Sequence, residues 1–205
     1  MLNREDSTPQ VTLVHAKVVI ILEANFRRAG LHSRSMMPGI IGLKMLKGFI
    51  SYAHADHAAF KELRTHLRAI ERAFRIEFWA DRRINPGDYW SKEIADAIET
   101  AQVHIALLSP AFIGSDYIFD HELPAINAKC GKGDMLLPVI VDRCAWSWVV
   151  GVLQALPTDH AGRLLPVHEW RPRGHGYDAA REQIWSSMAN RFGPPKGIFP
   201  WGASP

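Results

Sequence analysis

Short, mostly apolar runs recur along the chain between residues 48 and 192, separated by polar and turn-forming residues. Runs of four to seven such residues are typical of strands that are buried on both faces of a sheet. The sequence predicts four of these strands and a weaker fifth, at residues 48–52, 75–79, 103–108, 135–141 and 164–167.

Segments with helical periodicity lie between the predicted strands. Apolar residues recur at steps of about one helical turn, which predicts amphipathic helices over residues 60–74, 90–101 and 180–192. Ser115 or Asp116 could cap another helix, which is predicted to run through Glu122 to about residue 129. Pro124 must then lie in the early turns of this helix or kink it.

Strands that alternate with helices indicate an α/β fold with a parallel sheet covered on both faces. Five such units in about 145 residues predict a flavodoxin-like, doubly wound, five-stranded parallel sheet with helices on both faces. In the strand order 2-1-3-4-5, the ligand crevice opens between the carboxyl ends of strands one and three. Residues 53–56 and 110–115 would form its walls.

The two ends of the chain have a different character from residues 46–192. Residues 1–45 form a leader of uncertain structure, in which residues 11–26 could be a strand or a short helix. This leader is either a docking arm or a segment upstream of the functional domain. Residues 193–205 contain four prolines and are predicted to be a tail.

The net charge of +3 belongs to the leader. Residues 1–46 hold six basic and three acidic side chains, so residues 47–205 hold 18 of each. A neutral domain has no charge excess for a polyanion, so we expect residues 46–192 not to bind nucleic acid directly. The two cysteines, the absence of a long apolar run and a charged N-terminus predict a cytoplasmic protein with reduced thiols and no membrane segment.

Motifs for common cofactors and nucleophiles are absent from the sequence. It has no glycine-rich phosphate loop and no Gly-x-Ser-x-Gly elbow. Its histidines lack the thiolates or carboxylates that would complete a zinc site, so neither a metal nor a bound cofactor is expected. Carboxylates near the predicted crevice remain, but Asp56 could simply cap a helix and Glu122 could be a solvated helix acid.

Six motifs follow one another in residues 46–192. They are FISY at 49–52, WAD at 79–81, INPGDYW at 84–90, IALLSP at 105–110, SDY with HEL at 115–117 and 121–123, and LPVIV at 137–141. Their order and spacing resemble Toll/interleukin-1 receptor (TIR) domains, in particular the bacterial type that consumes NAD+. In that likeness, residues 84–90 correspond to the BB loop and Glu122 to the glutamate in the helix after the third strand.

The resemblance implies an NAD+ glycohydrolase that cleaves the nicotinamide–ribose bond and gives nicotinamide with ADP-ribose or a cyclic ADP-ribose. It implies a role in antiphage defence by abortive infection, with NAD+ as substrate rather than cofactor. Glu122 would be the catalytic carboxylate. The residues implied to bind substrate are Tyr52, Ala53, His54, Trp79, Asp81, Arg82, Arg83, Trp90, Ser115 and Tyr117. The implied assembly loop consists of Ile84, Asn85, Pro86 and Gly87.

A second function from another class follows from the same resemblance. Some TIR domains are non-enzymatic adaptors that act through homotypic assembly. Either function implies a homo-oligomer formed through TIR–TIR contacts, and a separately encoded sensor or effector protein is a further expected partner. Some of the implied substrate residues also have a structural interpretation. Trp79 and Trp90 could pack in the core. Arg82 and Arg83 could be solvated rather than bind the pyrophosphate.

Overall fold

The computed structural model describes residues 45–80, 92–151 and 153–195. Its strands are β1 (Leu46–Ser51), β2 (Ile76–Trp79), β3 (Val103–Leu108) and β4 (Met135–Ile140). Its α-helices are α1 (His57–Phe74), α2 (Lys92–Thr100), α3 (Pro110–Ile113), α4 (Leu123–Cys130), α5 (Ser147–Val150) and α6 (Gly174–Phe192). The four main predicted strands are thereby confirmed, and so is the helix predicted at residues 60–74. The helix predicted at 90–101 is confirmed from Lys92 onwards, since positions 90 and 91 lie outside the described part. The helix predicted at 180–192 begins six residues earlier, and the one predicted to reach residue 129 is divided into a π-helical turn, Ile118–Glu122, and α4.

The four strands form one parallel sheet in the order β2-β1-β3-β4. This is the predicted order for the first four strands. Parallel strands need long crossovers, and α1 supplies the one from β1 to β2. Since β1 and β3 are central neighbours, the chain turns in opposite directions on either side of them, which makes their carboxyl ends the switch point of the sheet.

Alternate side chains of the strands pack against helices on the two faces of the sheet. On one face, Ile50, Phe78 and Ile105 form a core with residues of α1 and α6. On the other face, Phe49 packs with Ile94 of α2 and with Ile126 of α4. Helices on both faces are therefore confirmed. The hydroxyl-bearing Ser51 belongs to the same face as Phe49, because the two are two residues apart in one strand.

The predicted count of five strands is not confirmed, and the strand predicted at residues 164–167 is wrong. In its place, Leu156 forms a single parallel bridge with Val139 of β4, and Leu164 forms an antiparallel bridge with Thr158. The Leu156 amide donates to the Pro138 carbonyl at 2.8 Å, and its carbonyl accepts from the Ile140 amide at 2.7 Å. Regular pairing does not extend past this point, because the next residue is a proline without an amide hydrogen.

Several predictions fall outside the described residues. They concern residues 1–44 of the leader, residues 84–87 of the assembly loop and residues 196–205 of the tail. Within the described ranges, none of the helices is long and apolar enough to cross a membrane. The same ranges contain no group of three or more His, Cys, Asp or Glu side chains that could hold a metal ion.

Gly48 provides a test of the packing between β1 and β2. A Cβ atom built at this position would lie 2.2 Å from Cδ1 and 2.4 Å from Cε1 of the Phe78 ring. That ring is 2% exposed and cannot move aside freely. We expect Gly48→Ala to lower the free energy of unfolding by about 1–3 kcal/mol, measured by urea denaturation.

The matched control for Gly48→Ala is Gly174→Ala at the start of α6, where no atom lies within 4 Å of the added Cβ. This substitution should leave stability unchanged or raise it slightly, because alanine is the better helix former. Equal effects of the two substitutions would contradict the close contact between Gly48 and Phe78.

His104 provides a test that depends on pH. It is fully buried in β3, and burial lowers its pKa from 6.5 to about 4, although Asp134 opposes the shift. The unfolded chain therefore binds a proton at a higher pH than the folded protein does. The difference in the pKa of His104 makes the folded protein on the order of 3 kcal/mol more stable above pH 6.5 than at pH 4. This contribution to the free energy of unfolding is lost as the pH falls between these two values.

Urea denaturation at pH 7 and pH 4.5 measures this loss. We expect His104→Gln to be less stable at pH 7 but to lose less stability on acidification than the unmodified protein. His160→Gln, at an exposed position, is the control and should keep the original pH dependence. An unchanged pH dependence in His104→Gln would show that this histidine does not carry the effect.

Candidate active site at the carboxyl edge of the sheet

Glu122 lies in a π-helical turn, Ile118–Glu122, directly before α4. The amide of Leu123 donates to the carbonyl of Ile118, five residues earlier, instead of four as in an α-helix. Pro124 accounts for the wider turn, because proline has no amide hydrogen and its ring collides with the carbonyl four residues before it. Single π-turns within helices are rare and are frequent at functional sites.

The side chain of Glu122 is buried, with 4% of the residue exposed. Its Oε2 accepts a hydrogen bond from Oγ of Ser51 at 2.5 Å, and Ser51 is 1% exposed. This is a short O–H···O hydrogen bond. A polar group removed from water is costly unless it has such a partner. The contact therefore fixes Glu122 at the carboxyl end of β1.

The neighbouring strand leaves room for this contact. Ser51 is in register with Ala106 of β3, whose methyl group covers little of the sheet. Ser51 lies within the FISY motif but is not among the site residues predicted from the sequence. A signal was present, since Ser51 is the hydroxyl-bearing residue at the end of an apolar strand, at the edge where α/β proteins bind ligands.

The three predicted substrate residues after β1 have different surroundings. The ring of Tyr52 stacks on Phe60 of α1 with centroids 4.3 Å apart, and its hydroxyl is 3.3 Å from Nδ1 of His57. It thus packs on the α1 side of the sheet, away from the Glu122 side. Ala53 is buried, and His54 is exposed.

Trp79 and Tyr117 lie on the same side of the sheet as Glu122. Trp79 ends β2, stacks on Phe49 with centroids 5.7 Å apart, and is 36% exposed. It is therefore not a fully buried core residue. Tyr117 packs against the Phe49 cluster and also contacts His121, with ring centroids 5.4 Å apart. The structure thus brings two aromatic side chains to the face that carries Ser51 and Glu122.

Ser115 has the capping role that the sequence suggested. Its Oγ accepts a hydrogen bond from the Ile118 amide at 3.4 Å, at the entry to the π-turn. Asp56 precedes α1, but its side chain makes no capping hydrogen bond, so its interpretation as a cap is wrong. It instead accepts a hydrogen bond from Oγ of Ser109, at 2.5 Å. This contact joins the two predicted walls of the crevice.

The remaining predicted site residues lie outside the described part of the chain. These are Asp81, Arg82, Arg83 and Trp90 among the substrate residues, and Ile84, Asn85, Pro86 and Gly87 of the assembly loop. Their roles stay predictions. The site that the structure describes therefore consists of Ser51, Glu122 and their aromatic neighbours.

Comparisons with known proteins agree with this architecture. A family model described as TIR domain matches residues 49–183, well over half of the chain. The uncharacterized protein y4lF of Sinorhizobium fredii (strain NBRC 101917 / NGR234) is 35% identical to the chain over 124 residues. The match covers 60% of this chain and 37% of that protein, so the chain spans little more than a third of this relative's length.

A double-mutant cycle measures the contact between Ser51 and Glu122. Ser51→Ala removes the donor from a buried carboxylate and should lower the free energy of unfolding by about 1.5–3 kcal/mol in urea denaturation. In a Glu122→Ala background the same substitution should cost much less, because there is no carboxylate left to satisfy. Equal costs in both backgrounds would mean that the hydrogen bond contributes nothing to stability.

Proposed function

The chain belongs to the TIR domain family, and on that premise we propose that it is an NAD+ glycohydrolase with Glu122 as its catalytic carboxylate. It cleaves the nicotinamide–ribose bond and produces nicotinamide with ADP-ribose or a cyclic ADP-ribose. The observation that carries the proposal is the buried Glu122, held by Ser51 in a π-turn at the carboxyl edge of the sheet.

The reaction needs few groups from the protein. The bond from the ribose C1′ to the pyridinium nitrogen breaks, and its electron pair leaves with neutral nicotinamide, so no acid is needed to protonate the leaving group. Positive charge then develops on the ribose, as in glycoside hydrolysis. A water oxygen bonds to C1′ and releases its proton, or an adenine nitrogen bonds there to close a ring. One carboxylate beside C1′ stabilises the cationic transition state.

The surroundings of Glu122 suit this role. A carboxylate in a site of low dielectric attracts a developing cation more strongly than it would in water. The Ser51 hydrogen bond orients the group in advance, so that little reorganisation is needed during the reaction. The partly exposed ring of Trp79 offers an aromatic surface to a planar ring of the substrate.

The other substrate contacts follow from the family resemblance. Ala53, His54, Ser115 and Tyr117 would line the site, and Tyr52, whose ring packs on Phe60, would contribute its backbone. Asp81 and Trp90 would help close it, and Arg82 and Arg83 would meet the pyrophosphate. NAD+ enters this scheme as substrate, with no resident cofactor.

The biological setting is proposed on the same ground. Loss of NAD+ or release of a cyclic nucleotide signal would stop an infected bacterial cell, in antiphage defence. Activity would require a homo-oligomer in which residues 84–87 contact a neighbouring TIR domain. A separately encoded sensor or effector would act with the protein in the cytoplasm.

The test is nicotinamide release from NAD+ by the full chain, assembled at high concentration or with a crowding agent, followed by chromatography and mass spectrometry. We expect Glu122→Gln to reduce the rate by about 100-fold or more, because the transition state loses its counter-charge. Asp120→Asn is the matched control, since Asp120 lies in the same π-turn but is exposed. It should keep most of the activity.

Two outcomes would overturn the enzyme proposal. One is equal release by the Glu122→Gln variant, and the other is no release by the unmodified protein in any assembled state. The second outcome, together with assembly that depends on Pro86 and Gly87 but not on Glu122, would identify the non-enzymatic interaction module instead.

A further inference from the structure

Two serine–carboxylate hydrogen bonds join the segment after β1 to the segment after β3. Ser51 at the end of β1 donates to Glu122, and Ser109 after β3 donates to Asp56 after β1, each at 2.5 Å. The pairs are crossed, because the first residue of each segment binds the last residue of the other. Residues 51–56 and 109–122 therefore form a closed frame at the switch point of the sheet.

The direction of the Ser109–Asp56 bond is fixed by a third group. Oγ of Ser109 accepts a hydrogen bond from the Phe112 amide at 3.0 Å, as the N-cap of α3. This leaves the hydroxyl hydrogen of Ser109 to donate to Oδ2 of Asp56. Ser109 is 2% exposed, so the bond is sheltered from competing water.

The surroundings of Asp56 show that the bond holds a partly desolvated acid. Burial raises the pKa of Asp56, while the Ser109 hydrogen bond and His168 oppose the rise and Asp142 adds to it. His168 in turn lies 3.4 Å from Asp142, between Nδ1 and Oδ2. Loss of the Ser109 hydroxyl would deprive the partly buried carboxylate of Asp56 of this short hydrogen bond.

Inside the frame, the loop after β1 is held by packing. Ala53 is buried in a cluster with Phe112 and Ile118, which belong to the opposite segment. The loop that carries Ala53 and His54 is thereby fixed to Glu122 at one end and to Ser109 at the other. Its distance from Glu122 depends on both hydrogen bonds.

We infer that Asp56 and Ser109 are positioning residues, which set the loop of residues 52–54 at the distance from Glu122 that NAD+ binding requires. This inference rests on the proposed function and extends it. The two bonds then have separate effects. The Ser51 bond orients the reacting carboxylate and acts on kcat, whereas the Asp56–Ser109 bond places substrate-binding groups and acts on KM.

The kinetic test compares Ser109→Ala, Ser109→Thr and Asp56→Ala in nicotinamide release. Ser109→Ala and Asp56→Ala should each raise KM about 10-fold, with kcat within about two-fold, as expected for loss of one positioning hydrogen bond. Ser109→Thr keeps a hydroxyl and should restore most of the affinity. The double variant should raise KM no more than either single variant, because both substitutions remove the same bond.

The control is Asp178→Asn, which removes the negative charge of Asp178 beside Nδ1 of His66, 3.0 Å away. That contact joins α6 to α1 through residues outside the frame, and weakening it should leave KM unchanged. A purely structural role for Ser109 would lower the folded, active fraction and hence the apparent kcat, without changing KM.

Hydrogen exchange separates this inference from the proposed function. The amides of residues 52–54 should exchange at least several-fold faster in Ser109→Ala and Asp56→Ala than in Asp178→Asn. If the unmodified protein released no nicotinamide, the proposed enzyme would fail, and this exchange contrast would still test the frame. Unchanged exchange, or unchanged KM in an active enzyme, would overturn the inference.

Discussion

The hydrogen bond from Ser51 to Glu122 is the contact on which the account of this protein depends. It joins side chains that are 71 residues apart in sequence, and both are almost fully buried. A carboxylate in such a place is costly unless a donor compensates for its lost hydration. Three features of the fold contribute to this contact. The parallel pairing of β1 with β3 brings the two segments together, the small Ala106 leaves space, and the π-turn before Pro124 turns Glu122 towards the sheet.

Much of the fold could be predicted because it depends on local patterns. The apolar runs of β1, β3 and β4 and the spacing in α1 identify buried strands and an amphipathic helix directly. The weak fifth strand could not be placed in this way. Residues 164–167 have the apolar character of a strand, yet they include Pro166, and the segment that reaches β4 contains Leu156 followed by Pro157. Hydrophobicity alone does not show where a proline, which has no amide hydrogen, will end the hydrogen bonding between strands.

The site was only partly predictable, for a different reason. Glu122 could be singled out from the sequence, because the HEL motif follows the third apolar run of the chain. Its partner Ser51 and the Asp56–Ser109 pair are defined by contacts between distant segments, which no periodicity reveals. Tyr52 shows the opposite case. It is adjacent to Ser51 in sequence, yet the alternation of side chains along a strand directs its ring to the other face, where it stacks on Phe60.

As a catalytic residue, Glu122 would place its carboxylate against the nicotinamide ribose of bound NAD+. A crystal structure of the Glu122→Gln protein, grown with saturating NAD+, tests this most directly, because the isosteric amide should preserve the site while slowing turnover. We expect C1′ of the nicotinamide ribose to lie within about 3.5 Å of the substituted side chain, on the face of the sheet that carries Ser51 and Trp79. A dinucleotide bound elsewhere, or with its nicotinamide ribose far from residue 122, would contradict a catalytic role for Glu122.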